Sequence, residues 1–584
     1  MSLTEVSQSQ QRRDLRLPLG LLLLLAALCA PFVASTYVVH ALIIALIFML
    51  PAHGLNLLVG YTGLLSLAQA AFFGIGAYAS GLLAVTYGTP FYVNVAAAGL
   101  AAGAIALPLG IPALRLRSTS FVMCTLGFVI IGQAIAKNWI SLTRGDMGLS
   151  SIPKPHFALG PLSFTVSGTT AFYYLALTVG ILATLAVWMI VRSPAGRNMI
   201  AIRENETLAE SVGIPTWRYK LIVFMLSAVF AGVGGSLYAH YLTVVSPLTF
   251  QMYYSTTMLI IVLGGGAGTI SGVVFGSLLF VGLTEALRVT PGTSDDRLRA
   301  LPARPGLLVQ KGFCPRDQPP LGFDREREMT GLPILEISNL TKSYGAVKAV
   351  DDVSIHVERG EIAGLIGPNG SGKSTFFDCS TGLGKPDSGK VRLDGQDITG
   401  WSLNRIAREG RMLRSFQKTV VFKSLDVEEN LIIAGQMFSF PSLFSTFGIG
   451  KLSRSRVSGL RERAQELIRM AGLWDVRKQP AGNLSGGQQK LIQFASMLMP
   501  EPKLILLDEP MAGINPKIIE RVVETILYAN TSLGVSFLII EHNIDVVTSI
   551  CRRVIVLDQG RKLAEGLPQE IINDQRVREA YLGG

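Results

Sequence analysis

Leu484-Ser485-Gly486-Gly487-Gln488 stands between two other short runs, Gly367-Pro368-Asn369-Gly370-Ser371-Gly372-Lys373-Ser374-Thr375 upstream and Leu504-Ile505-Leu506-Leu507-Asp508-Glu509 downstream. The upstream run is a Gly-rich loop entered from the short, largely apolar stretch 361–366. Glycine reaches backbone angles closed to other residues, so the N–H groups of Gly370 and Gly372 can surround phosphate oxygens. A helix starting near Lys373 points its positive end at the same phosphates. Lys373 is then expected to reach the β- and γ-phosphates, and Ser374 to ligate Mg²⁺. Alone, this loop implies no more than some nucleoside triphosphatase. The downstream run reads as a buried parallel strand. It delivers Asp508 to its C-terminal end, beside the Mg²⁺, and places Glu509 to polarise the attacking water as general base. A solvated Asp-Glu pair would not follow directly on such a strand.

Outward from these motifs the composition changes sharply. The chain has 584 residues, of which 16% are charged. From Leu17 to Leu114 there is no Asp, Glu, Lys or Arg at all. A soluble domain needs charged surface, whereas ~18 or more apolar residues suffice for one membrane span. Candidate spans are 17–35, 38–58, 62–85, 91–114, 119–136, 172–191 and 221–245. A further apolar segment, 254–283, is interrupted by Gly264-Gly265-Gly266. Counting each once gives about eight crossings. Basic residues set the orientation: Arg12, Arg13 and Arg16 precede the first span, Arg115 and Arg117 follow the fourth, and Arg192, Arg197, Arg203, Arg218 and Lys220 follow the sixth. With the N-terminus in the cytoplasm all three clusters fall inside, as the positive-inside rule requires. The last apolar segment is expected to return the chain to the side that holds ATP.

Other readings of these features are weaker. The apolar run 17–35 is long for a signal peptide, and Leu28 is bulky for a cleavage position before Cys29. The five cysteines are scattered and have neither metal-ligand nor disulfide spacing. The net charge of +11 fits basic loops lying against anionic lipid, and no nucleic-acid motif accompanies it. The fold class is therefore an α-helical polytopic membrane domain followed by an α/β P-loop NTPase. The expected division is a tail at 1–16, a transmembrane domain at 17–288, a linker at 289–331 rich in charge and proline, and an ATP-binding domain at 332–584.

The three motifs in this order resemble the ATP-binding-cassette (ABC) ATPases. In that family the pentapeptide closes over the nucleotide of the opposite subunit. The resemblance therefore implies that Ser485, Gly487 and Gln488 meet a partner's ATP, and that a working unit holds two ATPase domains where this chain has one. It also implies ATP and Mg²⁺ as cofactors, with Gly367, Asn369 and Thr375 completing the phosphate loop. Three roles rest on it alone. Gln417, in Ser415-Phe416-Gln417, matches the glutamine loop that senses the γ-phosphate, joins the Mg²⁺ ligands and faces the membrane domain. His542, in Ile540-Glu541-His542, matches the switch histidine. Tyr344, in Lys342-Ser343-Tyr344-Gly345, matches the aromatic that stacks on adenine. Asn515 stands where many relatives have Asp.

The membrane half narrows the family. The stretch from Asn56 to Tyr78, with Gly60, Gly63, Gly74 and Gly76, resembles the signature of branched-chain amino acid importer permeases, although Ala68-Gln69 stands where Gly-His is usual. The segment Arg192-Ser193-Pro194-Ala195-Gly196-Arg197, followed by Arg203-Glu204-Asn205-Glu206 and Gly213, resembles that family's cytoplasmic coupling loop. Arg203, Glu204 and Glu210 are expected to dock near Gln417. The run Arg576-Val577-Arg578-Glu579-Ala580-Tyr581-Leu582 resembles the C-terminal helix of the family's ATPase subunit. The resemblance implies a permease–ATPase fusion of an ABC importer in a bacterial inner membrane. Its implied partners are a second permease, a second ATPase domain from a like or unlike chain, and an extracytoplasmic binding protein. Branched-chain amino acids are the expected substrate. Urea, short amides or other amino acids are the alternative, and an ABC exporter is the rival class. The family also expects a further span after Leu287, which 301–310 is too short and proline-broken to supply.

Overall fold

The structure is a computed structural model that describes residues 25–116, 118–159, 162–289, 333–440, 442–448 and 450–582. The membrane half is helical. Helix α1 (Thr36–Asn56) starts at Ser35, whose hydroxyl accepts from the Val38 N–H, and runs on through a π turn at Leu57–Tyr61. Then come α2 (Gln69–Tyr87), α3 (Phe91–Ala113), α4 (Ser118–Asn138) and α5 (Thr169–Arg192). Two short helices, α6 (Pro194–Glu204) and α7 (Glu206–Ser211), lead to the long α8 (Thr216–Leu242). Two further helices, α9 (Met252–Gly265) and α10 (Ile270–Val289), close this half.

Among the described residues six helices are long and apolar enough to cross a membrane, or seven spans if α9 and α10 count together. These six match six of the eight candidates. The candidate 17–35 is described only from Leu25 onward, where residues 25–33 are helical. The candidate 62–85 turns helical only at Gln69, because the chain leaves α1 through Gly63 at φ +72°. The last candidate, 254–283, is interrupted as expected, but a few residues later and sharply: α9 and α10 are bent by 120° across Gly266–Thr269. The physical reason is close packing of small residues. A Cβ on Gly265 would lie 1.9 Å from the Gly272 carbonyl oxygen, and one on Gly276 2.2 Å from that of Ile261. The turn lies against Gly60 at the end of α1, and α10 runs back beside α1. The linker expected at 289–331 lies outside the described residues except for Val289.

The permease core is α8 wedged among α1, α2 and α3. Here the Gly-rich signature acts in packing: a Cβ on Gly76 would lie 2.3 Å from the Gly232 carbonyl oxygen, so α2 and α8 touch backbone to backbone. Gln69 is buried at the start of α2 and donates to Ser227 on α8 at 2.5 Å.

The ATPase half opens with β1 (Leu335–Tyr344) and β2 (Val347–Val357), followed by β3 (Ile362–Ile366) and α11 (Lys373–Ser380). After β4 (Ser388–Leu393), β5 (Gln396–Asp397) and β6 (Met412–Arg414) come α12 (Val427–Ser439) and α13 (Gly486–Leu498). The chain ends with β7 (Leu504–Asp508), α14 (Pro516–Leu533), β8 (Ser536–Ile540), β9 (Arg553–Asp558), β10 (Arg561–Gly566) and α15 (Gln575–Leu582). Strands β9, β3, β8, β7 and β6 lie side by side and parallel, with β10 antiparallel on the β9 edge. Strands β3, β7 and β8 are buried at every position, which is why they read as unbroken apolar runs. A second, antiparallel sheet has the order β2-β1-β4-β5.

Candidate nucleotide site and its link to the permease

Parallel strands deliver their C-terminal ends to one edge, and the site forms there. The loop between β3 and α11 turns through Gly370 at φ +81° and Gly372 at φ +95°. A Cβ on Gly372 would lie 2.1 Å from the Ala349 carbonyl oxygen, so the loop closes only with glycine there. Lys373 is buried, and its ammonium donates to the carbonyls of Gly367 and Pro368 at 2.8 Å each. Burial lowers its pKa, against the opposing pull of Glu509 and Asp508. Asn369 and Ser374 are exposed, and Thr375 is half-buried.

Across the edge, Glu509 follows β7 with φ +47°, a left-handed backbone that is uncommon for a residue with a Cβ. One of its carboxylate oxygens lies 3.3 Å from Nε2 of His542, and the other accepts from Nε2 of Gln417 at 3.1 Å. The three residues expected to act in catalysis thus converge on one carboxylate. Asp508 is buried, which raises its carboxyl pKa above the usual aspartate value, opposed by Arg414. Glu541 is also buried and fixes the next turn by accepting from the N–H groups of Met511 and His542.

Two buried cations escaped the sequence reading. Arg414, at the end of β6, contacts Asp508 at 3.3 Å and Asp378 at 2.5 Å. Lys490 on α13 is buried near Glu541, Asp508 and Glu509, and burial lowers its pKa. The one signal for Arg414 was its place directly before Ser415-Phe416-Gln417; Lys490 gave none.

Ser485 caps α13, its hydroxyl accepting from the Gln488 N–H, while Gln488 accepts from the Ser485 N–H at 3.1 Å. Both residues therefore serve as a capping box as well as a motif. The Ser485 side chain is exposed, and among the described residues no hydrogen bond joins the pentapeptide to the loop of its own chain. Tyr344 is exposed at the end of β1, with the Lys342 ammonium 5.5 Å from its ring centre. Asn515 caps α14 by accepting from the Ile518 N–H at 3.0 Å, a task its side-chain oxygen performs as Asp would.

Three family models match this chain. One described as "Branched-chain amino acid transport system / permease component" covers residues 37–297, one described as "ABC transporter" covers 350–512, and one described as "Branched-chain amino acid ATP-binding cassette transporter" covers 561–584. The high-affinity branched-chain amino acid transport ATP-binding protein BraF of Pseudomonas aeruginosa is 36% identical over 255 residues, which span 43% of this chain and 98% of that protein. The chain belongs to the branched-chain amino acid family of ABC transporters. It joins the permease and the ATPase of that family in one polypeptide. The probable branched-chain amino acid transport ATP-binding protein LivG of Archaeoglobus fulgidus is 38% identical over 252 residues, 43% of this chain and 96% of that protein. A solved ATP-binding cassette of an ABC transporter in its ADP conformation is 32% identical, covering 44% of this chain and all of that chain, with a TM-score of 0.38.

In this transporter the ATPase half meets the permease through α6. Gln436 on α12 donates to the Pro194 carbonyl at 2.7 Å and to Asn198 at 3.1 Å, and accepts from Arg197 at 3.3 Å. Asn198 donates to the Tyr219 hydroxyl, which lies 2.8 Å from Thr446 of the ATPase half. Glu204, the last residue of α6, accepts from the Ser424 N–H at 3.1 Å and also from the Ser424 hydroxyl. Leu208 and Val212 pack with Val421, Phe422 and Ala434 in one apolar cluster. The docking expected near Gln417 is therefore corrected in detail. Only Glu204 of the three expected residues enters the ATPase groove, seven residues beyond Gln417. Glu210 accepts from Thr216 at the start of α8, and Arg203 turns the other way.

Proposed function

We propose that this transporter takes up branched-chain amino acids across a bacterial inner membrane by hydrolysing ATP. The observation that carries the reading is the continuous path from Glu509, through Gln417, to the Ser424–Glu204 contact on the permease. Gln417 touches the hydrolytic carboxylate and lies on the segment that leads to the permease contact. The sensor of ATP and the coupling contact are thus parts of one loop.

The cassette is an ATPase, and its residues divide the work. Lys373 transfers its ammonium from the loop carbonyls to the phosphates of ATP. Glu509 accepts a proton from the attacking water, and His542 and Gln417 hold that carboxylate in place. Tyr344 offers its exposed ring to adenine. The Ser374 hydroxyl, the Asp508 carboxylate and the side-chain oxygen of Gln417, whose nitrogen already serves Glu509, would offer only oxygen donors, the kind Mg²⁺ takes. These residues would hold the ion, which spreads the charge developing on the phosphates. Ser485, Gly487 and Gln488 cover the ATP of a second ATPase domain.

Assembly needs that second domain, a second permease and an extracytoplasmic binding protein. The coupling segment is two short helices between α5 and α8 rather than long extensions of the spans, which favours uptake over export. The test measures ATP turnover by the reconstituted complex with its binding protein. Stimulation by leucine, isoleucine or valine and not by urea supports the reading; stimulation by urea alone replaces the substrate.

A further inference from the structure

Arg203 and Glu204 are neighbours at the end of α6, and they point in opposite directions. Glu204 is held by Ser424 of the ATPase half. Arg203 donates through Nη1 to the carbonyl of Gly60 at 2.5 Å. Gly60 lies in the π turn that ends α1, where the N–H groups of Thr62 and Leu64 both go to the Leu58 carbonyl. The same Arg203 nitrogen lies 3.1 Å from where a Gly268 Cβ would be, and its Cγ lies 3.0 Å from where a Gly63 Cβ would be. Gly268 belongs to the turn between α9 and α10. Buried Asn56 ties that turn to α1, accepting from the Gly268 N–H at 2.8 Å and donating to the Thr269 carbonyl at 3.1 Å. Two broken helices therefore meet at one point, and Arg203 sits on that point.

We infer that Arg203 is the positioning residue that passes motion from the ATPase to a two-part hinge of the permease, made of Gly60 on α1 and Gly268 on the α9–α10 turn. Several observations converge on it. The coupling residue next to Arg203 is anchored in the ATPase. The carbonyl that Arg203 binds lies at an irregular turn, where backbone hydrogen bonds are readily exchanged. The three positions around it are glycines, and a Cβ on Gly60 would lie 2.2 Å from the Asn56 side chain and 2.3 Å from the Gly268 nitrogen. Those glycines leave room for the guanidinium arm and for the two helix ends to approach. A displacement of Ser424 during ATP binding draws Glu204, turns the end of α6 and shifts the Arg203–Gly60 bond. That frees or locks the ends of α1 and α9 together.

The inference rests on the uptake reading, and its test separates the two. The complex is reconstituted with binding protein, and leucine uptake is measured against ATP hydrolysed. Arg203→Ala is expected to keep ATP turnover while uptake per ATP falls roughly tenfold, within the range that coupling between sites spans. Arg203→Lys, which keeps one cationic donor, is expected to restore part of it. In parallel, a spin label at Ala267→Cys, in a background without the native cysteines, reports the hinge without any substrate. Its mobility is expected to change on adding ATP with vanadate, and Arg203→Ala is expected to abolish that change with ATP still bound. A label response in a complex that does not take up leucine would remove the substrate reading and leave the hinge standing. Unchanged uptake per ATP in Arg203→Ala, or a label response that persists without Arg203, would overturn the inference.

Discussion

Glycines shape both halves of this chain, in contrasting ways. In the ATPase half Gly367, Gly370 and Gly372 lie within one short loop, and the loop's own carbonyls hold Lys373. In the permease half Gly60, Gly63 and Gly268 come from two distant stretches and meet around Arg203. The first arrangement is set within a single turn, which also packs against the Ala349 and Leu557 carbonyls. The second exists only after α1, α6 and the α9–α10 turn have packed. The phosphate loop is thus a local device, and the hinge is a product of tertiary structure.

The sharpest way to break this contrast is at the local device. Lys373→Ala removes the cation that the loop positions and is expected to abolish ATP turnover, read by phosphate release from the assembled complex. Glu509→Gln keeps the shape and removes the base. Turnover is expected to fall about 10²–10⁴-fold, the span of general-base catalysis, while ATP binding persists and two ATPase domains stay closed on gel filtration. Normal turnover in this variant would remove Glu509 from its role. Arg414→Ala leaves Asp508 and Asp378 without their shared partner. Breaking a buried pair costs about 3–5 kcal/mol, so the thermal transition of the ATPase half is expected to drop clearly. An unmoved transition would mean that the charge pair is solvated. The gentlest test leaves activity alone. Cysteines placed at Ala267 and at exposed Met147 are expected to label with an impermeant reagent from opposite faces, Ala267 from the ATPase side. Protection of Ala267 from both faces would mean that α9 and α10 cross as one span.

The sequence carried the fold and the class of the ATPase half through its motifs. Its central strands β3 and β7 are buried on both faces, so they appear as largely apolar runs leading straight into the Gly-rich loop and into Asp508. Arg414 and Lys490 stayed hidden because a cation becomes buried only through what packs over it, and neither sits in a run that predicts its cover. In the permease, apolar length revealed the six long helices. It could not reveal the 120° bend, which depends on Gly265 meeting Gly272 and Gly276 across two helices. Nor could it divide the labour at α6: Arg203, Glu204 and Glu210 all read as exposed charges, and only packing sent them to Gly60, Ser424 and Thr216. The stretch 290–331 holds no apolar run of membrane-spanning length, so the return of the chain from Val289 to the ATPase half is not written there as a further span.

The central claim is that ATP consumed at the Lys373–Glu509 site moves substrate toward the ATPase face through the α6 contact. It is tested most directly in proteoliposomes sorted by orientation, with the binding protein on the face opposite the ATPase and labelled leucine beside it. ATP supplied only to the ATPase face is predicted to drive leucine toward that face, with no movement in Glu509→Gln. Movement in the other direction, or equal movement in Glu509→Gln, would contradict it.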